Sequence, residues 1–129
     1  MIGLDTNVIV RHLVQDDVEQ GASATRAIAQ LRPEDPGFLT VVVLVEIYWV
    51  LTRGYKFSAA AVTHALSALV DSPDIVVQDE PSVRAALGLA RAGSDFADGL
   101  ISSACKSRGC TRVLSFDRKA QTDMGFVEP

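Results

Sequence analysis

The chain opens on a short apolar run that ends at once in an acid, a hydroxyl and an amide: Met1-Ile2-Gly3-Leu4, then Asp5-Thr6-Asn7. No other stretch constrains the fold as much. An apolar run that stops at a carboxylate reads as a buried strand delivering Asp5 to the edge of a parallel sheet, where open α/β folds keep their ligand crevice. Asp is also a favoured helix N-cap, so Asp5 has a second, purely structural reading.

The rest of the chain repeats the alternation. Strands are predicted over residues 2–4, 38–40, 75–77 and 112–114, with a last strand-like pair at 126–127. Helices are predicted over residues 6–14, from Asp16 or Asp17 to about 32, from a Thr40 cap to a Gly54 stop, from a Ser58 cap over 59–70, from Asp79 or Glu80 to Gly93, and over 96–106. A short helical turn follows Asp117. Strands alternating with helices imply a mainly parallel sheet covered on both faces. A length of 129 residues fits one domain, 1–129.

Composition narrows the function classes. The net charge is −4 and the pI about 5.0, which argues against a broad basic surface that holds nucleic acid unaided. A nuclease stays open, because clustered catalytic carboxylates lower the pI and a cation supplies positive charge. Cys105 and Cys110 lie outside any CxxC and have no histidine nearby, so they read as two buried free thiols in a reducing, cytoplasmic setting rather than a zinc site. Residues 38–51 are the most apolar, but they number 14 and include Glu46, too few to span a membrane. Asp5 and Arg11 break the N-terminal run, so no signal peptide is read there.

Four acids are candidates for chemistry: Asp5, Glu46, Asp98 and Asp117. Three have a structural reading as well. Asp5 and Asp117 suit helix caps, and Asp98 follows Asp95 at capping-box spacing. Glu46 stands as the sole charge between Thr40 and Leu51, with Val42, Trp49 and Val50 at the positions where a helical partner would lie. It either reaches water at the edge of the apolar face or meets something positive from elsewhere, since a lone buried carboxylate costs several kcal/mol. A divalent cation would satisfy all of them. Sites built of oxygen alone select Mg²⁺ or Mn²⁺ and typically act on phosphodiesters through an activated water.

The chain resembles the PIN-domain nucleases and, within them, the VapC-like ribonuclease toxins of toxin–antitoxin pairs. The resemblance rests on Leu4-Asp5-Thr6-Asn7 with Val8-Ile9-Val10-Arg11, on Val45-Glu46-Ile47-Tyr48-Trp49-Val50-Leu51, on Asp95-Phe96-Ala97-Asp98-Gly99-Leu100-Ile101, and on Ser115-Phe116-Asp117-Arg118. It implies a three-layer α/β/α fold and Mg²⁺- or Mn²⁺-dependent endonucleolytic cleavage of RNA. Asp5 and Asp98 fall on its central metal-ligand positions, while Glu46 and Asp117 contribute directly or through water. Thr6, Asn7 and Ser115 fall where the family places orienting polar residues, and Asp95 reads as a cap or a supporting group. A VapB-like antitoxin and a homodimer are implied as partners. Gly99 departs from the more usual alanine, which loosens the helix start by about 1 kcal/mol or less.

The remaining candidates read more plainly. Arg11, Arg118 and Lys119 are either contacts to RNA phosphates or ordinary solvated charges. His12 and His64 read as surface or packing residues, and Tyr48 and Trp49 as core or interface aromatics. Three other functions compete with the toxin: an RNA-processing PIN nuclease, a phosphotransfer α/β domain, and a scaffold that only binds. Asn7 and the solitary Asp5 count against phosphotransfer, which usually places further acids near the first strand.

Overall fold

The polar residues that punctuate the apolar runs are the ones that cap the helices, and the backbone follows that punctuation. The computed structural model describes residues 1–129, which fall into two units, Met1–Gln78 and Asp79–Pro129.

The first unit contains β1 (Ile2–Gly3), α1 (Thr6–Val14), α2 (Val18–Ala29), β2 (Gly37–Leu39), α3 (Val41–Trp49), a π-helical turn (Val50–Gly54), α4 (Ala59–Asp71) and β3 (Ile75–Val77). The strands form one parallel sheet in the order β1-β2-β3, with Ile2 opposite Gly37 and Phe38 opposite Val76. Leu39 on the middle strand is fully buried, together with Ile9, Leu44, Ile47 and Leu66. The expected burial of the first strand holds only for Leu4; Ile2 is 50% exposed. As an edge strand, β1 has a neighbour on one side only.

Three caps close as their sequence positions suggest. Asp17 accepts from the Gln20 N–H at 2.9 Å, Thr40 from Val43 at 3.2 Å and Ser58 from Ala61 at 3.1 Å. Two helix ends differ from expectation. α2 stops at Ala29, because Arg32 and Asp35 pair across the Pro33 turn. The helix begun at Thr40 does not stay α-helical to Gly54. After Trp49 it widens into the π turn, where the Thr52 hydroxyl donates to the Tyr48 carbonyl at 2.7 Å and competes with the regular ladder.

The second unit contains α5 (Glu80–Arg91), α6 (Phe96–Ser107) and α7 (Arg118–Met124). Its buried residues include Val83, Ala86, Leu87, Phe96, Leu100, Ala120 and Phe126. α5 packs closely on α6, and the approach is tight at Gly99, where a Cβ would lie 3.1 Å from the Ala86 Cα. The glycine expected merely to loosen the start of α6 thus also sits at a close helix–helix approach. The strands expected at 112–114 and 126–127 reduce to one isolated parallel bridge, Leu114 to Val127. Leu114 is 54% exposed, so its apolar character does not reflect burial. The cysteines also differ from expectation, with Cys105 half-buried and Cys110 exposed. No helix is long and apolar enough to cross a membrane.

Candidate functional site

In the first unit, Asp5 occupies the N-cap position of α1 with an extended backbone, φ −84° and ψ 160°, yet its side chain makes no cap hydrogen bond. The cap reading therefore fails for the carboxylate, which is left exposed. Thr6, the first residue of α1, is buried, and its hydroxyl donates to Glu46 Oε2 at 2.6 Å. α3 turns Val43, Leu44, Ile47 and Tyr48 inward and leaves Glu46 exposed. Glu46 thus reaches water, and the partner it meets across the fold is a neutral hydroxyl rather than a positive group.

Replacing Thr6 by Val keeps the volume and removes the donor. Thr6→Val is expected to lower stability by about 1 kcal/mol, the usual worth of one such bond. It also frees the Glu46 carboxylate to turn. Thermal denaturation checks the first effect, and a chemical-shift change at the Glu46 carboxyl carbon checks the second.

Asn7 is exposed beside a cleft of about 410 Å³ between α1 and α2, lined also by Val8, Arg11, Gln20 and Ser23. Arg11 is committed inside the unit. Its Nε donates to Gln20 at 2.7 Å, and Nη1 reaches Asp16 at 3.1 Å and the Tyr55 hydroxyl at 3.3 Å. The Tyr55 hydroxyl in turn donates to Asp16 at 2.7 Å; this bond lowers the Asp16 carboxyl and raises the Tyr55 phenol from their ordinary values. Arg11 therefore ties α1 to the residues around it, and those donors are not free for a phosphate. His12 likewise pairs internally with Thr25 at 2.9 Å. Tyr48 is buried, while Trp49 is 40% exposed with the Arg53 guanidinium 5.0 Å above its ring.

In the second unit, Asp95 caps α6, accepting from the Asp98 N–H at 2.9 Å. The reciprocal half of a capping box is not made, so Asp98 contributes its backbone to the cap and not its carboxyl. That carboxyl is half-buried. Burial first, then the charges of Asp95 and Asp117, push it above the ordinary carboxylate value; Asp123 adds to this and Lys119 opposes it. Lys119 is itself ion-paired with Asp123.

Asp117 does act as a cap. Its Oδ1 accepts from Lys119 at 2.9 Å and Ala120 at 3.1 Å, while the Ser115 hydroxyl accepts from the Asp117 N–H at 3.0 Å. Arg118 is exposed, and the neighbouring Phe116 is 78% exposed. Lys119, read from sequence as a phosphate contact or a solvated charge, is instead paired with Asp123, which sequence reasoning overlooked; their four-residue spacing on a short helix was the available signal.

No group of three or more His, Cys, Asp or Glu side chains stands close enough to hold a metal ion. The donor chemistry nevertheless suits a hard cation. The acids around Asp98 come without histidine or thiolate, and the repulsion that Lys119 only partly offsets is what a divalent ion relieves.

Comparison with known families matches the PIN domain over residues 2–126. The chain belongs to the PIN domain family. The PIN fold is an α/β nuclease fold, generally metal-dependent and usually served by Mg²⁺ or Mn²⁺; seven helices and a small parallel three-stranded sheet accord with it. Comparison with curated proteins finds no match.

Proposed function

We propose that this PIN domain is a Mg²⁺- or Mn²⁺-dependent endoribonuclease and the toxin of a VapC-like toxin–antitoxin pair. The observation that carries the reading is that Asp5 and Asp98 stand at helix starts without their carboxylates serving the helix. Asp117 gives one carboxylate oxygen to its cap, whereas Asp5 and Asp98 give none. They are the central metal ligands in this proposal, with Glu46 and Asp117 contributing directly or through water. Bound there, the cation supplies an activated water and stabilises charge at phosphorus.

Within each unit, local hydrogen bonds steady three of these acids. Thr6 orients Glu46, Asp95 fixes the backbone at Asp98, and Ser115 fixes it at Asp117. Arg118, exposed beside Asp117, is the proposed contact to an RNA phosphate. Asn7 faces the adjoining cleft as a polar contact for water or RNA. An apolar cavity of about 200 Å³, lined by Leu13, Leu51, Phe57 and Val62 among others, supports docking of an antitoxin segment. The homodimer rests on the resemblance alone.

Purified protein free of antitoxin is expected to cut total RNA into discrete fragments with Mg²⁺ or Mn²⁺, and to stop with EDTA. Asp5→Asn, checked for folding, is expected to stop it too. Cleavage that survives both controls sinks the mechanism. A folded protein that neither cleaves RNA nor binds a divalent cation is a binding scaffold instead. Growth arrest on expression, relieved by a neighbouring small protein, separates a toxin from an RNA-processing nuclease.

A further inference from the structure

The C-terminal end of α6 brings the chain's two cysteines together by a defined backbone device. α6 ends at Ser107, and Gly109 follows in the left-handed conformation with φ +81°. The Gly109 N–H then reaches back to the Lys106 carbonyl at 3.0 Å, and the Cys110 N–H to the Cys105 carbonyl at 3.0 Å. These paired reverse bonds are the Schellman motif, which characteristically sets the side chains at its two outer positions against each other. Usually that contact is apolar. Here both positions are thiols, Cys105 and Cys110, and both line one small cavity of about 80 Å³ with Met124 and Phe126.

We infer that Cys105 and Cys110 form an oxidisable dithiol, a modification site that closes to an internal disulfide by exchange with a low-molecular-weight disulfide. Neither thiol is in a disulfide in the structure, and their exposures differ in the way the sequence of steps requires. Cys110 is exposed and meets the reagent first. Its thiolate attacks one sulfur of RSSR, forming Cys110–S–S–R and releasing RS⁻, which takes up the proton Cys110 lost. Cys105 then gives up its proton and attacks the Cys110 Sγ, breaking the mixed disulfide and expelling the second RS⁻. Two thiols are oxidised by two electrons, and RSSR leaves as two RSH carrying both protons.

Burial and the neighbouring Cys110 raise the Cys105 thiol above its ordinary value, which suits Cys105 to the second, intramolecular step rather than the first. The closed ring pins the end of α6 to the segment that leads into Ser115 and Asp117.

The test uses the full chain and oxidised glutathione, followed by intact mass. The native protein is expected to lose two hydrogens and keep no adduct. Cys105→Ser is expected to retain one glutathione, and Cys110→Ser to react slowly. Closure in the native protein is expected to be at least about tenfold faster than in urea that unfolds it, because the motif holds the thiols together. The wild-type comparison needs no variant to fold. A native protein that keeps its glutathione adduct, or closes no faster folded than unfolded, overturns the inference.

Discussion

Asp98→Asn is expected to end RNA cleavage while raising the melting temperature of the metal-free protein. The two effects have one cause. The Asp98 carboxyl is half-buried among Asp95, Asp117 and Asp123, and Lys119, the opposing charge, is shared with Asp123. A charge so placed weakens the fold unless a cation arrives. Asparagine keeps the shape and the backbone N–H that Asp95 caps, and it removes the charge. Cleavage should fall by more than about a hundredfold, the upper end for losing a group that merely supports a metal ligand. The melting temperature should rise by about 2–4 °C, a common trade of activity against stability.

The pH dependence separates this cause from a generic one. The carboxyl is raised in the folded state, so folding takes up a proton at intermediate pH and stability falls as pH rises. Below the unfolded carboxylate value both states are protonated and the cost vanishes. It grows as pH rises through the unfolded and then the folded value, and it is complete above the latter. The advantage of Asp98→Asn should therefore be full at neutral pH and shrink toward zero in acid. Added Mg²⁺ should stabilise the wild type and do little for the variant. A variant less stable than wild type at neutral pH, in the absence of metal, would refute the account.

The sequence was most legible where a single residue type has one local use. Thr40 and Ser58 cap, β3 spans Ile75–Val77, and α1 spans Thr6–Val14, each as its residues dictate. It was least legible where tertiary surroundings choose between uses. Asp5, Asp98 and Asp117 look alike as strings, an acid at a helix start. Only Asp117 gives its carboxylate to the cap, because Asp95 already holds the Asp98 N–H and Asp5 makes no side-chain cap bond. The Thr6 hydroxyl that meets Glu46 comes from 40 residues away, beyond any helical spacing. Apolar content likewise misled at Ile2 and Leu114, where a strand edge and a single bridge leave the side chains exposed.

Gly99→Val is expected to be among the most damaging single changes that leave every acid in place. Gly99 is buried on α6, and a Cβ there would lie 3.1 Å from the Ala86 Cα, 3.2 Å from its Cβ and 3.4 Å from its carbonyl oxygen. Two of those three atoms are backbone, which cannot swing aside as the end of a long side chain can. The two helices must separate to admit a branched side chain, and the gap opens along their whole contact. Overpacking of this kind costs about 1–3 kcal/mol, and the few tenths that Val gains over Gly in helix propensity do not offset it. A fall in melting temperature of about 10 °C follows at the upper end. Because Gly99 adjoins Asp98, cleavage should drop further than the folded fraction does. Gly99→Ala should cost much less, since better helix propensity opposes a milder clash, and combining it with Ala86→Gly should prove less than additive. A Gly99→Val protein that melts within a degree of wild type would show that α5 and α6 do not need this close approach.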